Sequence, residues 1–196
     1  MSKEKLMKNF EEYCINFKKR SEEYLRTKKK IESLEIKIVN LKKLIQARDR
    51  VNMIWQQSEI EELMPYFKKE VYYLISQAIS LTDHPFEETN FEELLADYED
   101  KENELEKNLK ILDLGREQSK MMGVKSLVFL KEECQEIEIT KYSKEQELML
   151  CYYFEEGFSN SLKLSPESKL SEEFWTNYEK QDSAGIKRLA KKLEQG

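Results

Sequence analysis

Apolar residues return every three or four positions through roughly the first sixty residues, and charged residues fill the gaps. With Phe10 as an a position, the a series is Phe10, Phe17, Tyr24, Ile31, Ile38, Ile45 and Asn52. The d series is Leu6, Tyr13, Arg20, Thr27, Leu34, Leu41, Arg48 and Trp55. A repeat sustained over about seven heptads is the pattern of a coiled coil. Its interface is expected at Phe10, Phe17, Tyr24, Ile31, Leu34, Ile38, Leu41, Ile45 and Trp55. From Ile31 to Ile45 the a residues are β-branched and the d residues are Leu, which favours parallel dimers. In a parallel homodimer Lys30 faces Glu35, but Lys37 faces Lys42, and that repulsion leans towards a different chain as partner. The alternative is intramolecular, with the first helix covered by later helices of the same chain.

Those helices are expected at 66–81 and 90–121, after a first helix over 3–62. Pro65 and the stretch Thr82-Asp-His-Pro-Phe86 separate them, and Thr89 or Asn90 can cap the third, with Glu92 and Glu93 behind. The third helix has a stripe of its own in Phe91, Leu95, Tyr98, Leu105, Leu109 and Leu112. All five glycines lie at position 115 or later, so the glycine-free part reads as helical.

Beyond Gly123 the pattern changes. Runs at 124–130, 136–140, 147–154 and 161–164 are short and rich in branched and aromatic residues, which predicts strands. The third run alternates apolar residues on both faces, as in a strand covered on two sides. Ser165-Pro166-Glu167 predicts an N-cap and a first helical turn, leading into Leu170, Phe174, Trp175 and Tyr178. A last helix opens near Ser183. The expected fold class is α+β, with long N-terminal coiled-coil helices and a small C-terminal head of antiparallel sheet plus helices. Residues 1–62 form the coil, 63–121 further helices with a break at 82–89, and 122–196 the head. The head core is expected at Val124, Leu127, Phe129, Leu148, Leu150, Tyr152, Phe154 and Phe174. The Met121-Met122 pair reads as packing where helix meets sheet.

Composition narrows the function. Charged residues make up 37% and hydrophobic ones 39%, which suits helices that bury one stripe and solvate the rest. A net charge of -6 argues against nucleic acid as the main partner, and no run of about 18 apolar residues predicts a membrane span. Cys14, Cys134 and Cys151 lack metal-ligand spacing and read as reduced intracellular thiols. The single histidine, His84, has acids nearby but no second histidine, so a metal site is not expected. Adjacent acids such as Glu61-Glu62, Glu87-Glu88 and Glu155-Glu156 carry little information in a chain with 39 acids. No phosphate-binding glycine loop, nucleophile elbow or zinc-protease motif occurs. The reading is of a non-enzymatic interaction protein with no cofactor and no small-molecule substrate.

Leu114-Gly115, then Arg116 and Lys120, then Gly123 and the run Val124-Lys-Ser-Leu-Val-Phe129, resemble one kinetochore family. It is the spindle-pole-component-twenty-five family of the outer-kinetochore NDC complex, and the likeness spans about residues 112–193. Members end a coiled coil in a small RWD-type head. The resemblance implies a structural linker at the centromere, active in chromosome segregation. Such a linker pairs with a related coiled-coil subunit through coil and head, and docks a receptor peptide there. It also implies a nuclear location. Other intracellular scaffolds or adaptors, and a self-contained helical regulator that binds one target, share the same physical pattern.

Overall fold

The computed structural model describes residues 2–57, 90–155 and 162–195, together with Lys68, Lys69, Tyr72, Tyr73 and Ser76. Of Val51, Asn52, Ile54, Trp55, Gln56 and Gln57 it describes the helical backbone alone. The expected helix at 66–81, the breaks at Pro65 and 82–89, His84 and the side chains of Asn52 and Trp55 lie outside this set. Among the described residues five helices are defined: α1 (Lys3–Gln57), α2 (Phe91–Glu133), α3 (Lys144–Glu155), α4 (Glu172–Glu179) and α5 (Ser183–Gln195). The chain divides into two compact units, one of Leu25–Lys110 and one of Met1–Tyr24 with Ile111–Gly196.

In the unit of residues 25–110, α1 and α2 run antiparallel. Arg48 pairs with Glu92 and Lys42 with Glu99 (2.7 Å), so positions rise on one helix as they fall on the other. Leu41, Leu44 and Phe91 form the buried centre, flanked by Ile45, Leu94, Leu95 and Tyr98. Asn90 opens α2 as its N-cap, its side-chain oxygen accepting from the Glu93 N–H at 3.2 Å. Glu92 and Glu93 fill the first turn, where the helix dipole favours negative charge.

The other unit holds the main core. The first turns of α1 contribute Leu6, Phe10, Cys14 and Phe17, and α2 contributes Leu127 and Leu130. Helix α3 contributes all but its ends, since every residue from Gln146 to Phe154 is buried. Helices α4 and α5 add Phe174, Ile186, Leu189 and Ala190.

The head is helical, and the expected α+β class is corrected on this point. Among the described residues no strand forms, and the one β-bridge is an isolated parallel pair, Ile137 with Leu164. The extended pieces around it are tied by Ile137 N–H to Lys163 O (2.9 Å), Ser165 N–H to Ile137 O (2.8 Å) and Lys169 N–H to Ile139 O (3.0 Å). Tyr178 donates its hydroxyl to Leu162 O at 2.6 Å and accepts from the Leu164 N–H.

Each misread run has a physical reason. The run 147–154 is a helix surrounded by core, and a helix with no solvated face shows no 3.6-residue alternation. A reciprocal capping box starts it: Ser143 Oγ accepts from the Gln146 N–H (3.1 Å), and Gln146 Oε1 accepts from the Ser143 N–H (3.2 Å). The run 124–130 continues α2. Gly123 is no turn there; it is buried where α3 crosses, and a Cβ on it would lie 2.7 Å from Met149 Sδ. Ser165-Pro166-Glu167 makes a turn closed by Ser168 N–H to Ser165 O (2.9 Å), and α4 begins later. Its N-cap is Ser171, which accepts from the Phe174 N–H while donating to the buried Glu147 carboxylate.

A larger residue at 123 would force the Met149 side chain to shift inside a fully buried core. Gly123→Val is expected to cost about 1–3 kcal/mol, as for other overpacked cores. Met149→Ala in the same chain should recover part of the loss, read as a rise in the urea midpoint over the single variant.

Candidate interaction surface

The heptad stripe of α1 is covered within its own chain. Phe10, Phe17, Ile31, Ile38 and Leu41 are buried, and Tyr24, Leu34 and Ile45 are half-buried. Two of the stripe's polar interruptions, Arg20 and Arg48, find partners in the same way. Arg20, at a d position, lies along Gly115, donating to its carbonyl and to Ser119 Oγ (2.9 Å). Arg48, also at d, is clamped by Glu92, which holds the guanidinium in its charged form. Tyr24 carries the Arg116 guanidinium over its ring at 4.8 Å. The intramolecular alternative is the arrangement found, and Cys14, outside the a/d series, joins the same buried face.

The head-core residues separate into two groups. Leu127, Leu148, Leu150, Tyr152, Phe154 and Phe174 are buried, and Val124 packs against them from the edge. Phe129 is the correction. It is 50% exposed, because in a helix it points away from the face that carries Gly123, Leu127 and Leu130. The strand at 124–130, which linked the chain to the RWD-type head, is thus a turn-for-turn continuation of α2.

Beside that core lies a groove of about 880 Å³, walled by α2, α3 and α5. Met121, Val124, Val128, Tyr152 and Ala184 give it apolar surface. Lys120, Lys125 and Lys187 face Glu117 and Glu155 around its rim, a locally basic balance on an acidic chain. Lys120 Nζ stands 3.9 Å from the Tyr152 ring centroid, and the Tyr152 hydroxyl donates to the Glu194 carboxylate. Burial, then that carboxylate, pushes the Tyr152 phenol upward, so it stays a protonated donor.

Met121 was expected in the core; it is 49% exposed instead. With Leu114 (73% exposed) and Val128 (40%) it forms a seven-residue series on the outer face of α2. That series is readable in the sequence as a second heptad stripe, but the strand assignment from Val124 onward cut it in two.

Reactive chemistry is sparse in this unit. Burial first, then nearby glutamates, raises the thiol pKa of Cys14 and of Cys151, the direction opposite to that of an activated nucleophile. Among the described residues no group of three or more His, Cys, Asp and Glu could hold a metal ion. Among them, too, no helix is long and apolar enough to cross a membrane. Comparisons with protein-family models, with curated proteins and with solved structures gave no match.

Proposed function

We infer that this chain is a non-enzymatic helical interaction protein, self-contained in its fold, that offers the outer face of α2 and the adjoining groove to a protein partner. The observation that carries this reading is the contrast between its two heptad stripes. That of α1 is filled by the chain's own helices, whereas Leu114, Met121 and Val128 on α2 stay exposed beside a lysine-rimmed groove. Exposed apolar residues interleaved with charged ones beside a groove are a surface that protein partners can use. The three free thiols, two of them buried, suit an intracellular setting.

The test is a photo-crosslinking residue placed at Val128 in the source cells. A covalent protein adduct is expected there and not from the same probe at Lys28, an exposed position on α1. Absence of any protein adduct at Val128 would overturn the reading.

A further inference from the structure

We propose that the partner on the outer face of α2 is a second copy of the chain, with the two α2 helices packed antiparallel about a two-fold axis at Met121. This inference rests on the interaction reading above and names its partner. The exposed line along α2 reads Leu114, Glu117, Met121, Lys125, Val128, with every member on the face opposite the Gly123–Leu127–Leu130 core contact. Leu114 and Val128 lie seven residues either side of Met121, and Glu117 and Lys125 lie four either side.

In an antiparallel pair, residues equally far from the axis along the helix stand opposite one another. A two-fold at Met121 therefore sets Leu114 against Val128 of the second copy, and Glu117 against Lys125 of the second copy. Each contact occurs twice. Apolar residues meet apolar ones and acid meets base in one register, which is the self-complementarity that a two-fold interface requires. A parallel pairing would set Glu117 against Glu117 and Lys125 against Lys125, so charge selects the antiparallel arrangement.

The single-chain surroundings leave these groups available. Glu117 makes only loose contacts, 3.9 Å to Arg116 and 3.9 Å to Lys120, and its side chain is half-exposed. The groove beside Met121, Val124 and Val128 has Ala184 and Lys187 of α5 as its far wall, which gives the incoming helix a seat. An unrelated partner helix would need to match the same alternation of charge by coincidence; a copy of α2 carries it by construction.

Sedimentation equilibrium and thiol crosslinking of the full chain test this. The unmodified chain should show a reversible dimer. Glu117→Lys, which turns two attractive pairs into two repulsive ones, should weaken it about tenfold. Lys125→Glu in the same chain should restore it to within about twofold of the original. On a Cys134→Ser background with an added two-electron thiol oxidant, Met121→Cys lies on the axis and should form a disulfide-linked dimer, while Ile15→Cys on α1 should not. A chain that stays monomeric at its solubility limit would overturn the proposal. So would a dimer indifferent to the charge reversals, or one that Ile15→Cys links as readily as Met121→Cys. If the Val128 photo-probe captures only other proteins, the interaction reading stands and the self-pairing falls.

Discussion

Replacing Phe154 with alanine lowers the stability of the chain by about 3–5 kcal/mol, the range for deleting a large aromatic from a packed core. Phe154 is fully buried at the C-terminal end of α3. Its ring centroid lies 5.2 Å from that of Tyr178 and 6.2 Å from that of Phe174, so it is where α4 docks onto α3. Trp175 and Tyr178 meet edge to face at 5.6 Å on the same helix, and their positions depend on that seat. Loss of the ring leaves a cavity under α4, which is only eight residues long and is then held by its packing on α5 and by the Tyr178 and Ser171 hydrogen bonds. The measurement is urea unfolding followed by circular dichroism, with Phe129→Ala as companion. The companion should stay within about 0.5 kcal/mol of the parent, as exposed sites do. Equal losses for the two variants would mean that 124–130 does not follow the helical register.

That companion marks where sequence and structure part. The stripes of α1 and of the first turns of α2 were legible because each has one buried and one solvated face, which is what periodicity detects. The Asn90 cap and the opening of α5 near Ser183 were legible from local chemistry. Helix α3 was not, because Glu147, Met149, Cys151 and Tyr153 are buried as fully as the residues between them. A continuous apolar run reads equally as a two-sided strand, and only the Ser143–Gln146 capping box could have decided it. Gly123 misled for a related reason. Its lack of a side chain serves a close helix crossing against Met149, and a glycine kept for contact looks the same in sequence as one kept for a turn.

The partner of the α1 stripe was undecidable from sequence alone, since a heptad seam is blind to whether its cover is another chain. Geometry decides it through the polar residues. Arg20 and Arg48 would each weaken an apolar seam between chains, yet within this chain each has a partner at the matching level of α2. A seam closed internally leaves the interaction role to what remains exposed, and the line from Leu114 to Val128 on α2 belongs to that surface.

Leu41→Asp is expected to open the unit of residues 25–110 in the isolated chain. Leu41 is fully buried in a cluster with Leu44 and Phe91, and the ion pairs beside it, Lys42–Glu99 and Arg48–Glu92, are already made. An aspartate there would have to bury an unpaired carboxylate or protonate, and the cost of removing such a charge from water exceeds what the few contacts of this small cluster return. A loss of about 3–5 kcal/mol, the scale for an uncompensated buried charge, should appear first as local opening. Amide hydrogen exchange is the appropriate readout. Protection should fall around Ile38–Ile45 on α1 and around Phe91–Tyr98 on α2, while the amides of α3 and α5, whose core is a separate cluster, keep theirs. Arg48→Ala, which removes the solvent-side contacts to Glu92 and Asp49, should leave both regions protected. If Leu41→Asp changed exchange nowhere in the isolated chain, the α1 stripe would not be closed by α2, and a partner chain would again be needed to cover it.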